Sequence, residues 1–256
     1  PGIQVGEKGE RSRLEWVILA AVSLGTSFVK SAFGLGAGVL FGPVLALFVE
    51  PRQAMGMTAP VMLLSSLAAI GAHWRRWEWP VLRRLLPGAL AGLWLGSLFL
   101  ARAPAPHVRK AIGAIALAFA AIQLARLRRA DAAPAAAGEA PAGAALLLGF
   151  GGGVVSGIAQ SGGLLFSIYL LPRLEKAAFV ASLAMTLLVI DAFRLVSYWH
   201  LDVLELRHAL LGLMCAPLML VGGWLGKRLN GRLSARGFVL ALSLLIAATG
   251  LTLLAR

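Results

Sequence analysis

The chain has 256 residues, of which 59% are hydrophobic and 14% charged, and it carries a net charge of +13. Soluble globular proteins carry about 25% charged residues, so a water-soluble domain with a charged shell is excluded. The charges cluster between long charge-free stretches, and a membrane span takes roughly 17–25 mostly apolar residues, so the sequence points to an integral membrane protein that crosses the bilayer several times.

Residues 1–15 are polar and read as an N-terminal tail without a cleavable signal pattern, set apart from function. The region 16–49 is too long for one span. Its one charge before the end is Lys30, and it is interrupted at Lys30-Ser31 and by Gly34, Gly36 and Gly38. Simple apolar segments follow at 53–72, 85–101 and 111–125. The stretch 126–141 opens with Arg126, Arg128 and Arg129, turns to Ala, Pro and Gly, and reads as a connector between halves.

The second half repeats this order. Residues 140–172 are broken by Gly149, Gly151, Gly152, Gly153, Gly157, Gly162 and Gly163, with one acid at Glu139 just before them, and simple segments follow at 177–199, 209–226 and 237–255. Ser31 stands before Gly38 as Ser156 stands before Gly163. Gly38-Val39-Leu40-Phe41 aligns with Gly163-Leu164-Leu165-Phe166, and Trp74, Glu78, Leu82, Arg83 and Gly88 align with Tyr198, Asp202, Leu206, Arg207 and Gly212. The expected fold is all-α and membrane-integral: a first repeat at 16–125, a linker at 126–141 and a second repeat at 142–256. Each repeat has a broken or re-entrant opening segment followed by three transmembrane helices. Lys and Arg loops around Arg75, Arg126 and Lys227 fall on one side if each opening region enters and returns on the same side, which gives the two repeats inverted topology, although the loop with Arg102, Arg109 and Lys110 runs against the rule. The same interfacial role accounts for the basic excess, so nucleic acid is not expected as a partner. Cys215 stands alone, which excludes a disulfide framework or multi-cysteine metal site.

Several motifs carry a family resemblance. Gly34-Leu35-Gly36-Ala37-Gly38 through Gly42-Pro43, then Pro51-Arg52-Gln53-Ala54, resembles the opening motif of the TauE/SafE sulfite exporter family. So does Trp77-Glu78-Trp79 ahead of Leu85-Leu86-Pro87-Gly88, Gly92 and Gly96. Gln160-Ser161-Gly162-Gly163 and Gly222-Gly223-Trp224-Leu225-Gly226 form a looser second copy. The resemblance covers nearly the whole chain after the tail. It implies a secondary transporter, as an exporter, of a small sulfur-containing anion such as sulfite or an organosulfonate across the bacterial inner membrane. Two places depart from the family pattern: Gln160-Ser161 replaces further glycine, and Asp191 with Arg194 stands where a small polar residue is usual.

Glycine breaks suit an anion carrier because a broken helix leaves backbone N–H groups without intrahelical partners. In hydrocarbon such groups need a cavity or a ligand, and a helix N-terminus favours an anion. Paired broken segments in inverted repeats point to a transporter's binding site. The candidate substrate-binding residues are therefore Lys30, Ser31, Gly34, Gly36, Gly38, Gln160, Ser161, Gly162, Gly163 and Arg194. Asp191, the one acid well inside an expected span, is the candidate for proton coupling.

Each candidate has a structural alternative. Lys30 can mark a loop and snorkel to the interface. Asp191 and Arg194 lie three residues apart on one helical face and can form a neutralising pair, and Arg194 lies near enough to the span end to reach the interface. Ser31, Gln160 and Ser161 can bond a neighbouring helix instead of an anion. Ser65 and Ser66 read as helix-packing residues, as do the Gly92/Gly96 and Gly222/Gly226 pairs. His73, His107, His200 and His208 sit at segment ends without metal-ligand spacing, so no cofactor is expected, and Trp74, Trp77, Trp79 and Trp199 fit an interfacial belt. The expected partners are the lipid bilayer, a small anion and protons as coupling ion. An enzyme would need convergent His, acid or Cys groups at membrane depth, so no catalysis is expected. An anion channel of the same fold and a non-transporting membrane scaffold are the alternatives.

Overall fold

The computed structural model describes residues 20–21, 24, 38–72, 75–128, 142–214, 216–229 and 235–255. All regular structure among them is helical. In chain order the helices are α1 (Gly38–Leu45), α2 (Pro51–Ala72), α3 (Trp79–Arg102), α4 (Ala105–Arg128), α5 (Ala142–Ala159), α6 (Gly163–Leu170), α7 (Lys176–His200), α8 (Leu206–Met214), α9 (Ala216–Leu229) and α10 (Ala235–Ala255). By length and composition α3, α4 as far as Leu127, and α7 can each cross a bilayer, while Gly143–Ala159 and Leu240–Ala255 are shorter apolar helices. The described parts of the expected segment at 209–226 are helical on both sides of Cys215, as α8 and α9. Helix starts follow local chemistry: α2 begins on Pro51 and α3 has Pro80 in its first turn, where the missing N–H of proline leaves no bond unmade.

Helix α3 buries glycines alongside Leu82, Leu85, Leu93 and Leu100 and turns several large apolar residues outward. Its buried face carries Gly88, Gly92 and Gly96, while Trp94, Leu95 and Phe99 are exposed. With lipid as solvent, helices associate through close contact of small residues rather than through large apolar ones. Helix α5 supplies the matching face. A Cβ on Gly92 would lie 2.0 Å from the Phe150 carbonyl oxygen, and one on Gly153 would lie 2.1 Å from that of Ala89. Gly88 and Gly96 meet Leu146 and Val154 in the same way, and Gly149 and Gly157 meet Leu85 and Leu93. Residue numbers rise together along the contact, so α3 and α5 run parallel, backbone against backbone. The packing reading of Gly92 and Gly96 therefore holds. Helices α4 and α10 also meet on glycine, Gly113 and Gly250 each facing the other's carbonyl oxygen.

Helices α2 and α7 cross antiparallel. Ser66 meets Asp191 at mid-length. The backbone N–H of Glu78, just past α2, donates to Ser182 Oγ near the start of α7 at 3.0 Å. Gly56, near the start of α2, packs on the Val203 carbonyl just past α7. The segments leading into the two helices share a layout. Helix α1 and the turn 46–50 precede α2 as α6 and the turn 171–175 precede α7, and α7 starts 125 positions after α2. Their hydrogen bonds correspond as well: Ala46 N–H to Gly42 O and Leu171 N–H to Ser167 O, then Ala54 N–H to Glu50 O and Phe179 N–H to Glu175 O.

Candidate functional site

The opening segment of the second half is broken as the glycine pattern predicts. Helix α5 stops at Ala159, and Gln160 adopts φ 56°, a left-handed conformation uncommon for a residue with a Cβ. Gly162 is the N-cap of α6. The chain folds back, so that Gly162 rests on Gly152 and Ser156 of α5, and the Phe166 ring covers Gly152. Helix α6 has 8 residues and is about 12 Å long at 1.5 Å per residue, too short to cross a bilayer.

The buried Gln160 side chain holds this break in place. Its Nε2 donates to the Met55 carbonyl at 2.9 Å, and its Oε1 lies 3.0 Å from the Thr58 hydroxyl. The tip of the hairpin is thus fastened to α2. Ser161 Oγ donates to the Ala159 carbonyl at 2.7 Å, a local turn contact.

Facing the break, α7 presents Asp191, Arg194 and Tyr198, three and seven residues apart and so on one helical face. Asp191 and Arg194 form an ion pair through Oδ1 and Nη1, with Arg194 2% exposed. Ser66 donates to Asp191 Oδ2 at 2.6 Å. Tyr198 is fully buried, and its hydroxyl donates to the Gly157 carbonyl of α5 at 2.7 Å. Arg194 Nε is buried without a partner. The cluster therefore joins α2, α5 and α7 through hydrogen bonds. At its centre lie a cation and an anion, with the polar side chain of Ser66 bonded to the anion. A buried ion pair costs desolvation and is weak evidence for stability, whereas ionisable groups at membrane depth are characteristic of transport sites.

The candidates fare differently. Asp191 and Arg194 are brought together, and Arg194 lies inside the helix bundle rather than reaching the interface. Ser66, read as a packing residue, instead donates to Asp191. Gln160 is joined to α2, a contact its sequence neighbourhood does not announce. Gly162 is closed off by α5, and Gly163 faces only the Leu187 side chain, at 3.7 Å. Gly38 opens α1. Lys30, Ser31, Gly34 and Gly36 lie outside the described residues, as do Cys215 and Trp74. Among the aromatic residues, Trp79 and Trp199 are exposed, as a belt requires, and Trp77 packs edge-on to Trp79 with centroids 6.5 Å apart. Thr58 and Tyr198 carry no sequence signal as polar partners. Both are helical and surrounded by apolar sequence, and only the fold brings them to the site.

No curated protein and no solved structure matched the chain. The family model described as Sulfite exporter TauE/SafE matches residues 19–253. With that match over nearly its whole length, and with apolar helices built to pack in lipid, the chain belongs to the sulfite exporter TauE/SafE family.

Proposed function

We propose that this protein is a proton-coupled secondary transporter of the bacterial inner membrane that exports a small sulfur-containing anion, sulfite or an organosulfonate, by alternating access. The observation that carries the reading is the buried Asp191–Arg194 pair on α7, beside the α5–α6 break and with Arg194 Nε unpaired. A buried guanidinium needs one negative charge nearby. Asp191 supplies it in the absence of substrate, and a bound anion supplies it when Asp191 is protonated. Protonation and anion binding thereby go together, and anion and proton move in the same direction. Export follows where the anion accumulates inside steeply enough to carry the proton outward with it.

The same reading takes the chain as two repeats, 16–125 and 142–256, joined by the linker 126–141 and inverted in the membrane. Support comes from the matching turns before α2 and α7 and from the antiparallel crossing of those helices. Shifting each residue of the Glu78–Ser182 contact by 125 positions leads to Val203 and Met57. The observed counterpart is Val203 with Gly56, one residue away. Alternating access would proceed by movement of helices about this crossing. Lys30, Ser31, Gly34, Gly36 and Gly38 would form the first repeat's share of the anion site, opposite Gln160, Ser161, Gly162, Gly163 and Arg194.

The test is sulfite-dependent proton movement in proteoliposomes. Flux that requires sulfite in the parent protein and falls in Asp191→Asn and Lys30→Ala supports the coupled carrier. Conductance of anions without proton movement overturns it in favour of a channel, and no flux with sulfite or a sulfonate removes the substrate assignment.

A further inference from the structure

Helical hydroxyls in this chain follow a common pattern. Thr58, Ser167, Thr186, Ser197, Thr249 and Thr252 each donate to the carbonyl four residues earlier, at 2.7–2.9 Å. Such back-bonding satisfies a hydroxyl where water is absent. Ser156 departs from the pattern. It lies within α5 at 1% exposure, and its Oγ has no hydrogen-bond partner. The carbonyl it would use belongs to Gly152, and the returning chain occupies that position: a Cβ on Gly162 would lie 2.1 Å from Gly152 O and 2.4 Å from Ser156 Oγ. The hydroxyl is therefore held against Gly162, the N-cap of α6.

Two more buried donors without partners stand on elements joined to this part of α5. Ser97 Oγ is one, and the Ser97 backbone packs on Gly157, the residue after Ser156. Arg194 Nε is the other, and Tyr198, one helical turn further along α7, is bonded to the Gly157 carbonyl. The first N–H groups of α6 also lack intrahelical partners and favour negative charge. Gln160 and Ser161, by contrast, already have protein partners.

We infer that Ser156 donates a hydrogen bond to the transported anion, acting with Arg194 Nε and the N-terminal end of α6. This rests on the anion-transport reading above and deepens it. Ser156 becomes a specificity residue, and Gln160 and Ser161 become the frame that positions α6. Donors arriving from several elements suit an anion with several acceptor oxygens, and an uncharged hydroxyl adds direction to a guanidinium's charge without further charge.

The experiment is calorimetric titration of the detergent-solubilised full chain with sulfite and with methanesulfonate, alongside melting temperatures without ligand. Ser156→Ala is expected to lower affinity about ten- to a hundredfold, the usual effect of one hydrogen bond to a charged acceptor. Its ligand-free melting temperature should equal or exceed the parent's, because no internal bond is removed. Ser156→Cys, similar in shape with a weaker donor, should fall between the two. Parent-like affinity in both variants overturns the role of Ser156 and leaves the transport reading standing. So does a lowered melting temperature with unchanged affinity, the result for a purely structural hydroxyl. A parent protein that binds neither probe overturns the transport reading and this inference with it.

Discussion

Ser66 on α2 donates a 2.6 Å hydrogen bond to Asp191 on α7, and the two residues stand 125 positions apart, the spacing that also separates the start of α2 from the start of α7. Residues that correspond under this spacing and also touch each other mark the middle of the α2–α7 crossing. Arg194, the other half of the ion pair, sits one turn from that point.

The ion pair should respond asymmetrically to mutation. Asp191→Leu leaves Arg194 as a buried unpaired cation, and about 3–5 kcal/mol of stability should be lost. The double variant Asp191→Leu with Arg194→Met removes both charges and should recover most or all of it. Thermal unfolding in detergent measures this. Transport should stay absent in the double variant, which separates loss of function from loss of fold.

Binding of a sulfonate, whose own charge does not titrate near neutrality, should draw close to one proton onto the parent protein. The uptake should vanish in Asp191→Asn, with the anion still bound. Titration in buffers of differing ionisation enthalpy gives the proton count. A parent protein that takes up no proton would break the coupling argument.

The contact between α3 and α5 leaves no space for a side chain. Gly92→Ala should cost about 1–3 kcal/mol through overpacking, since the carbonyl 2.0 Å away is backbone and cannot swing aside. Gly143→Ala is the internal control: nothing lies within 4 Å of its Cβ position, so its effect should stay within about 0.5 kcal/mol. Melting temperatures of the two variants make the comparison.

At the break between α5 and α6, the order of stability should be parent, then Gln160→Gly, then Gln160→Ala. Both variants lose the contacts to Met55 and Thr58. Glycine accepts φ 56° without strain, whereas alanine does not, which separates them by about 1 kcal/mol.

Much of the fold was legible because lipid demands apolar segments of a given length and because glycine marks both close contacts and breaks. The segments expected at 53–72 and 177–199 reappear as α2 and α7 almost unchanged. The polar network was legible only in part. Asp191 and Arg194 stand out because a charge inside a span is conspicuous. Ser66, Thr58 and Ser156 do not, since a hydroxyl on a membrane helix ordinarily bonds its own backbone. One signal was present: the spacing of 125 seen in Ser31/Ser156 and Gly38/Gly163 leads from Ser66 to Asp191. The alignment of Trp74 with Tyr198 shifts that register by one and hides the correspondence.

The glycine contact of α3 with α5 joins helices from opposite sides of the linker. Mechanically the hairpin α5–α6 belongs with α3 rather than with its own half of the chain, so a body that moves in one piece need not be one that is continuous in sequence. Two fragments made separately, one ending at Arg128 and the other beginning at Ala142, would each carry one face of this contact and should assemble without a covalent tether.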